Sequence, residues 1–133
     1  AVVKMDLRLV PDQKPDEIFK LLRDHLDRRG FTDIEVVRLS GEPPFRANPE
    51  CLFAQTVIKC VEPVYGMKPE VFISSSGTTA MYQFCHDAGL DAVMFGAGNE
   101  ASNIHAPNEN IILEDYINAI KMVATVMEEF AKA

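Results

Sequence analysis

Along this chain, short apolar runs of strand length repeatedly precede longer segments whose apolar residues recur at helical spacing, and that alternation restricts the fold more than any other feature. Val3, Lys4, Met5, Asp6, Leu7, Arg8 and Leu9 alternate apolar with polar, the period-two pattern of a strand with one covered face. Arg8 falls on the polar side with Lys4 and Asp6. Pro11 ends the run. Pro15, followed by Asp16 and Glu17, opens a helix in the way the helix dipole favours, with Ile18, Leu21, Leu22, His25 and Leu26 as its expected buried stripe and Gly30 as its stop. Ile34-Glu35-Val36-Val37 supplies a second strand and completes a β-α-β unit.

The same rhythm continues downstream. A helix is expected over about residues 49 to 62, burying Leu52, Phe53, Thr56, Val57 and Cys60, and a strand follows at Val71-Phe72-Ile73. Another helix runs from about Thr79 to Ala88 and ends at Gly89; a strand at Ala92 to Phe95 and a helix from about Leu113 to Phe130 close the series. Strands alternating with helices predict an α/β fold with a mostly parallel sheet covered on both faces. Gly41-Glu42-Pro43-Pro44 is the best boundary, because consecutive prolines continue neither a ladder nor a helix, and it divides the chain into residues 1–41 and 42–133.

Composition narrows the function. The 133 residues are 47% hydrophobic and 25% charged, the balance of a water-soluble domain. A formal net charge of -7 argues against binding a phosphate backbone, so no nucleic-acid partner is expected. No apolar run approaches the roughly 20 residues that span a bilayer, and the first residues lack the basic-then-apolar profile of a signal peptide, so a cytoplasmic location without a membrane partner is expected. Cys51, Cys60 and Cys85 are an odd set without C-x-x-C spacing, which suggests neither a disulfide framework nor a closed zinc cluster. The chain opens inside an apolar run, as a piece of something longer would.

Two segments carry candidate chemistry. Ser102-Asn103-Ile104-His105-Ala106-Pro107-Asn108-Glu109-Asn110 places a single histidine among small and turn-forming residues beyond an expected strand end, where α/β proteins build sites. Neutral imidazole is the commonest protein metal ligand, yet a loop histidine beside Asn108 and Glu109 fits an exposed turn equally well. His25 and His86 lie on expected helices without neighbouring ligands, as packing or surface residues do. Ser74-Ser75-Ser76-Gly77-Thr78-Thr79 joins a strand to a helix and offers backbone N–H groups to an anion; an ordinary helix cap uses the same groups.

Taken in order, Asp6-Leu7-Arg8-Leu9-Val10-Pro11 with Gln13 and Pro15-Asp16-Glu17-Ile18, then Ser76-Gly77-Thr78, then Ser102 to Asn110, the chain resembles the carboxy-terminal part of the M20 metallopeptidases, which include carnosinase-type dipeptidases, deacylases and aminoacylases. The resemblance covers nearly the whole chain. It implies that residues 1–41 are the end of a lid or dimerisation domain and 42–133 the carboxy-terminal part of the catalytic domain. It also implies that His105 ligates one ion of a two-zinc centre with Glu109 in support, and that Arg8, Gly77 and Thr78 contact a peptide or N-acyl amino acid substrate. A guanidinium suits a substrate carboxylate because its planar fork makes two parallel bonds. The family takes its other metal ligands, its glutamate base and a lid histidine from regions with no counterpart here. The implied partner is therefore the missing amino-terminal half of the same catalytic domain, with homodimerisation through the lid, and the isolated chain is expected to be inactive. Two other readings stay open: a non-enzymatic α/β module that dimerises by edge pairing, and a small-anion binder at the Ser76-Gly77-Thr78 turn.

Overall fold

A computed structural model describes residues 1–72, 77 and 79–133. Its first helix, α1 (Pro15–Arg28), starts where the sequence pattern places it, with Pro15 in the opening turn, where a missing N–H costs nothing, and Asp16 and Glu17 beside it. It ends in a Schellman motif. Gly30, at φ 85°, donates to the Asp27 carbonyl at 3.0 Å, and Phe31 donates to that of Leu26 at 2.9 Å. Helix α2 (Leu52–Tyr65) is capped by Cys51, whose Sγ accepts from the Ala54 N–H at 3.4 Å, and it closes at Gly66 with φ 69°. Helix α3 (Leu113–Phe130) has the expected limits.

The chain forms two compact units. One comprises Ala1–Arg46 with Ser74–Leu90 and contains α1; the other comprises Ala47–Ile73 with Asp91–Ala133 and contains α2 and α3. Among the described residues of the first unit, polar clasps tie α1 to the segments that follow it. Arg23 donates to the carbonyls of Ile34 and Phe31 at 2.5 and 2.7 Å and to Asp27 at 2.7 Å, while Arg38 pairs with Asp16 and Gln83 bonds Glu42. In the second unit, α2 packs on α3 around Val57, Cys60, Met122 and Val126, flanked by Phe53, Val61, Val64, Tyr65 and Val93. Phe53 and Phe130 meet edge to face with ring centroids 5.2 Å apart.

Several expectations need correction. Among the described residues no segment is a strand: residues 2–10, 34–37 and 92–95, and Val71 and Phe72, have no regular secondary structure. The expected sheet is absent there because period-two alternation records only which side chains seek cover, whereas a strand also needs a neighbour to complete its ladder. Val3, on the apolar side of the first run, is 82% exposed. The stripe of α1 is likewise not buried, with Leu21 and His25 exposed and Ile18, Leu22 and Leu26 half-buried. Helix α2 runs later than expected because Pro63, in its last turn, does not stop it, and Leu52 faces water. The helix expected over Thr79 to Ala88 contracts to residues 81–87, and its larger part, Gln83–Asp87, is a π-type turn in which the Ala88 N–H reaches back to Gln83 at 3.0 Å. Ile73 lies outside the described residues. Among those described, no helix is long and apolar enough to cross a membrane.

Candidate functional site

The segment Asn99–Asn110 folds into a small hydrogen-bonded cradle whose anchor is Ser102, 2% exposed at the end of a 3-10 turn (Glu100–Ser102). Asn99 and Ser102 cap each other: the Ala101 N–H donates to Asn99 Oδ1 at 2.8 Å, and the Asn99 N–H donates to Ser102 Oγ at 3.0 Å. Asn110 closes the far side. Its N–H donates to the Ser102 carbonyl at 3.0 Å, and its Nδ2 donates to the carbonyls of Ala101 and Asn108, each at 3.0 Å. Asn99 Nδ2 lies 3.5 Å from Asp115 Oδ2, linking the cradle to the first turn of α3.

Within this frame the backbone turns left-handed at Asn103, His105 and Asn108, with φ of 52°, 63° and 61°. Asparagine tolerates that region because its short amide bonds locally; histidine there costs of the order of 1–2 kcal/mol. The surrounding hydrogen bonds offset that cost, and the result holds His105 outward and exposed. Glu109, also exposed, lines an open cleft of about 400 Å³ with Gly98, Ser102, Ile104, Asn110 and Ile111. His105 is not among the cleft-lining residues.

Expected site residues divide between the units. Arg8 and Gly77 are exposed and belong to the first; His105 and Glu109 belong to the second. Thr78 and Ser74-Ser75-Ser76 lie outside the described residues. His86 is exposed, stacks on Tyr82 at 4.5 Å and pairs with Asp87 at 2.9 Å, which fits a surface role. Sequence reasoning attached no role to Asn99, Ser102 and Asn110 as the clamp of the loop. The available signal was the density of asparagine around His105 and the three-residue spacing from Asn99 to Ser102.

Among the described residues, no group of three or more His, Cys, Asp or Glu side chains is placed to hold a metal ion. A protein zinc site takes three or four such donors. The described residues therefore do not fit a complete metal site.

At 28% identity, 97% of the chain aligns with Beta-Ala-His dipeptidase of Mus musculus, spanning 27% of that protein. An M20 family metallo-carboxypeptidase from Sulfolobus solfataricus superposes with a TM-score of 0.84 at 35% identity, over 94% of this chain and 29% of that one. The chain thus follows the path of an M20 metallopeptidase fold over somewhat more than a quarter of its relatives' length. The profile of Peptidase family M20/M25/M40 matches residues 3–129, and the chain belongs to that family.

Proposed function

We propose that this chain is the part of an M20 peptidase or amidohydrolase that contributes one imidazole to a zinc centre and part of the substrate pocket. The complete protein would hydrolyse a dipeptide or an N-acyl amino acid amide. The observation that carries the reading is the left-handed, outward-facing His105, in a loop clamped by Asn99, Ser102 and Asn110, within the S-x-x-H-x-x-N-E order. In this reading Glu109 supports His105, Arg8 holds the substrate carboxylate by a two-pronged bond, and Gly77 and Thr78 line the substrate pocket. Residues 1–41 form the end of a dimerising lid and 42–133 the end of the catalytic domain, in a cytoplasmic enzyme with a peptide or N-acyl amino acid as substrate. The other metal ligands and the proton-transferring base belong to polypeptide outside these residues.

Zinc binding and hydrolysis by the purified chain test this directly. The expected result is weak zinc uptake that His105→Ala abolishes and His86→Ala leaves unchanged, with no dipeptide hydrolysis above background. Zinc-dependent cleavage by the 133-residue chain alone, or uptake indifferent to His105, would overturn it.

A further inference from the structure

The cleft beside the His105 loop offers a ligand acceptors and apolar walls but few donors. Its apolar lining is Gly98, Ile104 and Ile111, with the isoleucines 59% and 47% exposed. Gly98 keeps it open: a methyl group there would lie 3.4 Å from Ile104 Cδ1 and 3.7 Å from Ser102 Oγ. Ser102, Asn110 and Glu109 complete the lining, and the first two turn their hydrogen bonds inward. Asn110 Nδ2 donates both its hydrogens to the carbonyls of Ala101 and Asn108, and Ser102, 2% exposed, accepts from the Asn99 N–H. What these side chains leave for a ligand is Asn110 Oδ1 and the Glu109 carboxylate, which has no hydrogen bond or ion pair among the described residues.

The charge of the surrounding sequence has the same sign. Asp91, Glu100, Glu109, Glu114 and Asp115 fall within residues 91–120, and no lysine or arginine does. Asp115 is linked to the cradle through Asn99. Such a cleft repels a carboxylate and leaves its acceptors without a partner when a neutral apolar group enters. An alkyl chain ending in an ammonium satisfies both parts, with its stem against the isoleucines and its head at the acceptors. The volume of about 400 Å³ falls among small-molecule sites, on the order of 300–1,000 Å³.

We infer that the Gly98–Ile104–Glu109–Ile111 cleft binds an alkylammonium group, the lysine-type side chain of a peptide substrate, with Glu109 selecting for its charge. His105 is outside the lining, so the cation position and the proposed metal ligand are neighbours on one loop. The inference rests on the proposed function only for taking the ammonium to be part of a substrate.

Amide NMR titrations of the 133-residue chain with n-pentylammonium, n-pentanol and pentanoate test it. Pentylammonium should shift the amides of Gly98, Ile104 and residues 109–111 and bind at least about threefold more tightly than pentanol, the size of an exposed cation–carboxylate pair. Pentanoate should not bind there. Glu109→Gln should remove the preference, and about 0.5 M salt should reduce it in the native chain, a readout independent of how the variant folds. Equal binding of pentanol, binding of pentanoate at these residues, or a preference that survives the substitution and the salt overturns the inference. Glycyl-lysine and glycyl-norleucine, which differ only by the ε-ammonium, identify the source. The lysine dipeptide should be favoured by the same margin; a preference for pentylammonium without one for glycyl-lysine overturns the assignment to a substrate side chain. Zinc uptake separates this inference from the proposed function. If uptake ignores His105→Ala while Glu109 still selects for the cation, the metal-ligand reading fails and the cleft stands; the reverse pattern sinks the cleft alone.

Discussion

Helix α1 and the α2–α3 pair obey the same rules of helix construction and end in opposite states. Helix α1 is the most sharply two-faced of the three, with a proline start, acidic first turn and Schellman stop, yet it has no buried residue. Helices α2 and α3, less sharply patterned, enclose Met122 at 0% exposure together with Val57, Cys60 and Val126. Local signals therefore decide that a helix forms, whereas burial depends on a neighbour arriving. The polar clasps of Arg23 and Arg38 take the place, around α1, of the apolar contacts that α2 and α3 exchange.

The largest expected effect breaks this contrast if it is wrong. Met122→Ala opens a cavity in the α2–α3 core and should cost about 2–5 kcal/mol in urea unfolding. Leu21→Ala on α1, 56% exposed, should cost under about 1 kcal/mol. Comparable losses at the two positions would mean that α1 acquires a packing partner in solution. Next in size is the cradle. Ser102→Ala removes the buried acceptor of the Asn99 N–H and should cost about 1–2 kcal/mol, visible as faster hydrogen exchange over residues 99–110 with α2 and α3 unaffected. His105→Gly should be neutral or stabilise by up to about 1 kcal/mol, because glycine accepts a φ of 63° without the steric penalty. A loss above that size would show that the imidazole packs structurally, and would remove the backbone argument for a functional role.

Legibility followed the range of the interaction. Helix α3 was readable to the residue, and the limits of α1 nearly so, because caps, turns and 3.6-residue periodicity are written within a few positions. The strands were not: Val3, Met5 and Leu7 display the alternation of a covered face, but pairing is settled by chain far away in sequence, and among the described residues none pairs. Gln83–Asp87 shows the same limit on a smaller scale, with helical composition but no core to straighten it. At the candidate site, the sequence singled out His105 and its loop, whereas the clamp by Asn99, Ser102 and Asn110 depends on backbone directions that residue types alone do not specify.

The smallest predicted effect sharpens the contrast from its buried side. Cys60 sits in the α2–α3 core, and burial, with a lesser push from the negative charge of Glu129, raises its thiol above the ordinary value of 9.0. A thiol whose folded value is raised contributes full stability below the unfolded value, and the contribution is lost as pH climbs, because the unfolded chain gives up its proton before the folded one does. The urea midpoint should therefore hold level for this group up to about pH 8.5 and decline above it, toward the folded value. Lysines and tyrosines also titrate in that range, so the informative quantity is the difference between the native chain and Cys60→Ala, which should lose stability less steeply between about pH 8.5 and 10. Parallel declines would mean that water reaches the Cys60 sulfur, and the α2–α3 core would then be as open as the flank of α1.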